Sequence, residues 1–318
     1  MSLKIIGAGK GIPVKSVSND DIAAFLDTSD EWIVSRTGIK SRYVCTGESL
    51  TDLSAAAAAQ ALENAGLTAE NMDMIICSTL AGDFITPSLA CCVSERIGAK
   101  CPAFDINAAC AGFIYALEIA SSFFASGRAE NILIVCSEMM SKHIDWNDRN
   151  TCVLFGDGSA ACVVTKGSAL KYINLSASAD TSILNLPAAA GNSPFDGVKE
   201  DRGSLHMNGQ EVFKFAVNTV ESEMKRAMSA LAMSPDQIDW FILHQANRRI
   251  IDFARTKLRR DEKKFPVNIG RYGNISSASI PLLLFEMLED NRLKTGDTLF
   301  MSAFGAGMTS GSCVIVWE

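Results

Sequence analysis

The sequence predicts an α/β fold made of two similar halves, residues 1–167 and 168–318. Three observations predict it. Short apolar runs of strand length alternate with longer amphipathic stretches along the chain, the pattern of strands and helices packed in layers. Segments of the first half recur, in the same order, in the second. And 318 residues suffice for two domains or one duplicated fold with a large core.

Taken in order, Met1-Ser2-Leu3-Lys4-Ile5-Ile6-Gly7 is a short strand pattern without the long apolar region of a signal peptide. An alanine-rich helix is expected at 52–65, then a buried strand reached through Leu67-Thr68-Ala69-Glu70-Asn71-Met72-Asp73-Met74-Ile75-Ile76-Cys77-Ser78. The second half repeats this with a helix at 220–232 and Met233-Ser234-Pro235-Asp236-Gln237-Ile238-Asp239-Trp240-Phe241-Ile242-Leu243-His244. Cys101-Pro102-Ala103-Phe104-Asp105-Ile106 is matched by Lys264-Phe265-Pro266-Val267-Asn268-Ile269, and Phe155-Gly156-Asp157-Gly158 by Phe304-Gly305-Ala306-Gly307. Further helices are expected at 113–124 and 278–288. The stretch 187–204, rich in small and polar residues, reads as a loop excursion within the second half.

Composition excludes several classes. Hydrophobic content of 48% and charged content of 20% are globular, not disordered. No apolar run reaches the ~20 residues that cross a bilayer, so a cytoplasmic protein is expected. A net charge of −7 argues against general nucleic-acid binding. The ten cysteines include no Cys-x-x-Cys pair, and the three histidines have no metal-ligand spacing, so no metal is expected. Gly7-Ala8-Gly9-Lys10-Gly11 resembles a nucleotide loop, but Pro13 follows and no helix does. From Arg248 to Lys264 eight cations face three acids; charge alone assigns this run to a solvated helix face.

Three segments put one polar side chain each at the edge of an apolar element: Cys110 after Asp105-Ile106-Asn107-Ala108-Ala109, His244 before Gln245-Ala246-Asn247, and Asn274 after Gly273. All three are expected beyond the carboxyl ends of strands, where ligands collect in parallel α/β sheets. Cys110, among small neighbours at a helix start, is expected to favour its thiolate. A thiol can hold an acyl group. An imidazole and an amide can hold an enolate oxygen without bringing a competing negative charge. Read singly, each has a plain structural alternative: a packed cysteine, a satisfied edge histidine, a helix-capping asparagine. Together they point to carbon–carbon bond formation on thioesters.

The chain resembles the β-ketoacyl-acyl-carrier-protein synthase III family of thiolase-fold condensing enzymes. The segments that carry the resemblance are Asp30-Glu31-Trp32-Ile33 with Arg36-Thr37-Gly38-Ile39, Cys110-Ala111-Gly112-Phe113, Phe155-Gly156-Asp157-Gly158, His244-Gln245-Ala246-Asn247, Gly273-Asn274 with Ser276 and Ala278, and Phe304-Gly305-Ala306-Gly307. The resemblance implies a thiolase-like duplicated five-layer α/β/α/β/α fold, a homodimer and a Cys110–His244–Asn274 site. It implies that an acyl group passes from coenzyme A to Cys110, and that malonyl-acyl-carrier-protein then loses carbon dioxide and attacks the acyl-cysteine. It implies, too, acyl-CoA as a substrate and no permanently bound cofactor.

It further implies backbone donors for the oxyanion from Cys110, Gly305 and Gly307. Trp32 and Arg149 would sandwich the adenine, with Arg36 and Thr37 near the phosphates and Asn247 along the pantetheine arm. Thr86, Leu186 and Phe304 would shape the acyl pocket, with the Thr86 loop reaching across the dimer. Lys214 and Arg249 would dock the acidic carrier. Thr86 stands where some members carry phenylalanine, which implies room for a longer or branched primer. Two rivals remain: a specialised condensing enzyme or acyltransferase of secondary metabolism using CoA or other carriers, and a non-catalytic acyl-thioester-binding protein on the same fold.

Overall fold

The apolar runs become two sheets. A computed structural model describes residues 2–188 and 203–318. The first sheet contains β1 (Ser2–Gly11), β2 (Met74–Ser78), β3 (Ala103–Ile106), β4 (Asn131–Met139) and β5 (Asp157–Gly167), in the order β1-β5-β4-β2-β3. The second contains β6 (Leu170–Ala177), β7 (Trp240–Leu243), β8 (Thr298–Gly305) and β9 (Thr309–Val316), in the order β6-β9-β8-β7. In each sheet the half's first strand lies at one edge, its last strand beside it and the strand before that next. β2 runs parallel to both its neighbours, and β7 runs parallel to β8.

Among the described residues the edge strand β3 has no counterpart in the second sheet. Lys264-Phe265-Pro266-Val267-Asn268-Ile269 was expected to match it, but forms a turn of 3-10 helix (Glu262–Lys264) followed by irregular chain. Pro266 lacks the N–H a ladder needs, and Phe265 stacks on Phe241 at 4.7 Å between ring centres instead.

The principal helices are α1 (Asp30–Thr37), α2 (Leu50–Ala65), α3 (Leu89–Ile97), α4 (Gly112–Ala125), α5 (Gly209–Leu231), α6 (Arg248–Leu258) and α7 (Ser279–Glu289). The helix expected at 220–232 is much longer. Asn208 caps it by accepting from Glu211 N, and its apolar stripe begins well before residue 220 with Ala216 and Val217. The α2 start at Leu50 follows from Ser49, which forms a capping box with Asp52.

Five layers result. α2 and α3 cover the outer face of the first sheet, where Ala57, Ala61 and Val93 meet Ile75, Leu133 and Val163. α4 and α7 fill the space between the sheets, packing Phe113, Leu117, Leu283 and Phe285 against Ile76, Ile134, Met301 and Cys313. α5 and α6 cover the second sheet's outer face through Val220, Met224 and Ile251. The glycines that imitate a nucleotide loop lie on β1. Gly7, Gly9 and Gly11 alternate on one face, and a Cβ on any of them would strike a backbone carbonyl of α2, at Ala61, Ala57 and Leu53 respectively. They let α2 sit directly on the sheet.

The excursion expected at 187–204 lies mostly outside the described residues. Beside it, Leu184–Asn185 pairs with His206–Met207. Among the described residues no helix is long and apolar enough to cross a membrane.

Candidate active site

A cavity of about 740 Å³ opens between the halves, lined by Cys110, His244, Asn274, Phe304 and Gly305. The walls towards solvent include Trp32, Arg36, Thr37, Arg149, Asn247 and Arg249. Residues from six separated stretches of sequence, around Trp32, Cys110, Arg149, His244, Asn274 and Phe304, therefore meet in one place.

Cys110 sits on a 3-10 turn, Ala109–Ala111, between β3 and α4. Ala109 takes a left-handed φ of 48°, which a small side chain tolerates best. The residue is half-buried and lines the cavity. Burial pushes its thiol up to about 12, outweighing the Ser276 hydroxyl and the Cys110 amide that pull it down; nearby Glu138 adds to the rise. The expected thiolate is therefore corrected to a neutral thiol. α4 starts only at Gly112, so the thiol precedes its first turn.

His244 continues the line of β7, its amide donating to Ser302 O at 2.9 Å. The ring is 1% exposed as a residue, and its Nδ1 lies 2.7 Å from Ser279 Oγ. Phe304 meets it edge-on, 5.4 Å between ring centres. Burial lowers the imidazole to about 3, so it is neutral at physiological pH.

Asn274 is held by its backbone, which donates to Leu154 O at 2.8 Å and accepts from Gly156 N at 3.1 Å. Its Oδ1 accepts from Ser276 N at 2.9 Å, which assigns the amide orientation and makes Nδ2 the free end. Among the described residues Nδ2 has no hydrogen-bond partner. Gly305 lies against the nucleophile's turn: a Cβ there would come within 2.5 Å of Cys110 N. The amide of Cys110 and the glycine loop are thus adjacent.

Other expected residues are placed less simply. Gly307 is absent from the cavity lining; its carbonyl accepts from Asp180 N at 3.0 Å, and Met308 faces the cavity instead. The Arg149 guanidinium lies 4.8 Å from the Trp32 ring centre and donates to Asp27 O. A ring inserted between them needs about 7 Å, two contact distances. The adenine clamp is therefore shut on itself in this conformation. Thr37 lines the cavity, but its hydroxyl donates to Ile33 O at 2.7 Å and accepts from Ile39 N at 3.0 Å, so its proton is already committed at the helix end. Asn247 caps α6, accepting from Arg249 N and donating to Arg36 O.

Leu186 packs beside the lining without belonging to it, where Leu184 and Met207 do. Thr86 is exposed on its own chain, away from this cavity. Lys214 is also outside the lining and exposed, 3.9 Å from Glu211. Arg249 lies at the mouth with its guanidinium 5.3 Å from the Phe213 ring. Much of the basic run is neutralised: Arg248 pairs with Asp252 and Glu262, Lys257 with Glu221 and Arg260 with Asp236.

Two residues of the site escape a reading of the sequence. Ser279 holds His244, and its only signal is the serine-rich start of an apolar helix. Glu138 ends the apolar run Ile132–Cys136, is 1% exposed, and accepts the Ser276 and Ser277 hydroxyls. An acid closing a buried strand is the signal that marks it.

Comparison with known proteins agrees across the chain. Residues 104–181 match the family model described as 3-oxoacyl-acyl-carrier-protein synthase III, and residues 228–317 match its C-terminal model. A β-ketoacyl-acyl-carrier-protein synthase III of Clostridium acetobutylicum is 44% identical, covering 99% of each chain. One from Natranaerobius thermophilus is 43% identical with the same coverage. Among solved structures, a 3-oxoacyl-acyl-carrier-protein synthase III of Aquifex aeolicus superposes with a TM-score of 0.93 at 40% identity, over 99% of this chain and 100% of that one. The priming β-ketosynthase of the R1128 polyketide pathway gives 0.90 at 31%, over 100% and 96%.

Proposed function

Because the chain belongs to the β-ketoacyl-acyl-carrier-protein synthase III family, we propose that Cys110, His244 and Asn274 carry out that family's reaction here. The protein is an acyltransferase, the initiating condensing enzyme of fatty acid synthesis. The rival reading in secondary metabolism is not favoured, since the relatives compared at 44% and 43% identity are named β-ketoacyl-acyl-carrier-protein synthase III.

The reaction follows from the groups. Cys110 sulfur attacks the thioester carbon of acyl-CoA; the S–H proton leaves with coenzyme A as its thiol. The Cys110 amide and the Gly305 loop hold the tetrahedral oxyanion. Malonyl-carrier then enters. Its carbon–carbon bond to the carboxylate breaks, carbon dioxide departs, and the electron pair becomes an enolate. Neutral His244 and Asn274 donate to the enolate oxygen. The carbon attacks the acyl-cysteine, the Cys110 sulfur leaves and is reprotonated, and β-ketoacyl-carrier is released. Decarboxylation makes the carbanion, so no strong base is required. The observation that carries this reading is the meeting of a thiol and two neutral donors on one cavity.

Trp32, Arg149, Arg36 and Asn247 line the approach for coenzyme A, with Trp32 and Arg149 parting to admit the adenine. Thr37 serves through its backbone and bulk. Acyl-CoA is substrate, and the enzyme needs no resident cofactor. Phe304, Leu186 and a partner's Thr86 loop bound the acyl group in a homodimer; Phe84 and Ile85, 59% and 98% exposed, give that loop an apolar surface to bury. Lys214 and Arg249 meet the carrier. The halves divide at residue 167, where β5 ends, and the enzyme works in the cytoplasm.

Incubation with acetyl-CoA followed by peptide mass analysis tests the reading. An acetyl group on Cys110, chased into product by malonyl-carrier and not by malonyl-CoA, is expected. No acylation of Cys110 overturns it. A primer series adds the acyl pocket: a strict preference for acetyl over octanoyl refutes the roomy pocket proposed from Thr86.

A further inference from the structure

His244 is held through a serine that none of the family motifs quoted above includes. Ser279 opens α7, and both it and His244 are buried. Its Oγ lies 2.7 Å from Nδ1, and the amide of Gln245 donates to the same oxygen at 3.4 Å. One lone pair of that oxygen is therefore occupied. A hydroxyl has a single hydrogen to give. The usual helical outlet, the carbonyl four residues back on Ile275, accepts from the Ala278 amide at 3.2 Å and receives no bond from the Ser279 hydroxyl, whose partners are His244 and Gln245. Among the described residues the only acceptor for the hydroxyl hydrogen is Nδ1.

Two tautomers compete. With the proton on Nδ1, that N–H donates to Oγ, and the serine hydrogen is stranded in a buried site. With the proton on Nε2, Ser279 donates to Nδ1, accepts from Gln245, and every polar hydrogen is placed. Stranding a buried donor is the costlier arrangement. We propose that Ser279 is a positioning residue that donates to His244 Nδ1 and so fixes the imidazole as the Nε2–H tautomer, a hydrogen-bond donor facing the cavity. Asn274 Nδ2 presents the other donor, oriented in the same way by one neighbour, Ser276.

The tautomer decides which step His244 serves. An Nε2 that already bears hydrogen cannot take the Cys110 proton without becoming a cation, and burial opposes a cation there. His244 is thereby assigned to the condensation step as a donor and removed from acyl transfer as a base. This deepens the functional reading above and rests on it.

The test begins with the unaltered protein. The chain has only three histidines, so ¹⁵N-histidine labelling gives a spectrum in which His244 is identified by its loss in a His244→Ala variant. A protonated-type nitrogen at Nε2 and an unprotonated one at Nδ1 are expected; the reverse overturns the proposal. In Ser279→Ala, a mixture of tautomers and about a tenfold lower condensation rate are expected. Acylation of Cys110 by acyl-CoA should be unchanged, and Ser279→Thr should restore condensation. A variant that keeps both the tautomer and the condensation rate overturns the proposal. If Ser279→Ala does not fold, the spectrum of the unaltered protein decides alone. That spectrum also decides if Cys110 takes no acyl group, a result that would strike the functional reading.

Discussion

Glu138, at the end of β4, accepts the hydroxyl of Ser276 at 3.1 Å across the boundary between the two halves. Ser277 donates to the same oxygen at 3.1 Å, and the Leu80 amide to the other at 3.1 Å. Ser276, at a left-handed φ of 51°, turns its own amide onto Asn274. A single buried carboxyl thus braces the turn that aims the Asn274 amide. Its hydroxyl partner Ser276 also acts on the Cys110 thiol, pulling it down against the larger effect of burial.

This carboxyl sets a pH dependence of stability. Burial holds it up at about 7 against an ordinary 4.5. Between those values the unfolded chain releases a proton that the folded chain keeps, so stability falls as pH rises through this window. The loss is on the order of 3 kcal/mol. Glu138→Gln should remove it. Urea unfolding at pH 4.5 and pH 8 checks this: parallel pH dependences for the two proteins would reject the assignment.

Removing the Asn274 amide should separate the two half-reactions. Asn274→Ala should leave acylation of Cys110 intact while condensation falls about 100-fold or more, the usual cost of an oxyanion donor. Quantifying acyl-enzyme and β-keto product in the same reaction checks it. Equal loss in both would place Asn274 in acyl transfer instead.

The Cys110 thiol, raised to about 12 by burial, should react slowly in the free protein. Alkylation by iodoacetamide, followed at the Cys110 peptide, should climb roughly tenfold per pH unit through the neutral range without levelling. A plateau by pH 8 would mean that a stable thiolate exists before substrate arrives.

Gly305→Ala should close the space beside the nucleophile, because the new Cβ meets Cys110 N at 2.5 Å. Overpacking of this kind costs about 1–3 kcal/mol, so the protein should still fold. Acyl transfer should drop about 100-fold through displacement of the amide donor. Thermal unfolding and single-turnover acylation, measured together, distinguish a lost site from a lost fold.

Charge reversal at Arg249, which lies at the cavity mouth without an ion-pair partner among the described residues, should act on the carrier alone. Arg249→Glu should raise KM for malonyl-carrier about tenfold and spare acyl transfer from coenzyme A. Steady-state kinetics of the two half-reactions check this. Equal damage to both would remove Arg249 from carrier docking.

Much of this site is legible in the chain because it is built from strand ends. The runs ending at Ile106 and Leu243 announce where Cys110 and His244 stand, and the repeat announces that those ends face one another. Thr37 and the Trp32–Arg149 pair were less legible. Whether a hydroxyl is free or spent on Ile33 O, and whether two stacking groups are apart or together, depends on atoms brought near by folding. The β3 counterpart failed for a local reason, Pro266, visible in the sequence but outweighed there by the repeat.

The sequence by itself determined the layered duplicated fold, the family and the three polar side chains at the cavity, since periodicity, repetition and residue type are properties of the chain read in one dimension. The tertiary structure alone decided protonation and direction. Burial, which no linear reading measures, keeps the Cys110 thiol and the His244 ring neutral, and contacts with Ser279 and Ser276 turn His244 and Asn274 into donors. Hydration lost and hydrogen bonds gained are sums over neighbours distant in sequence, and only the packed chain brings those neighbours together.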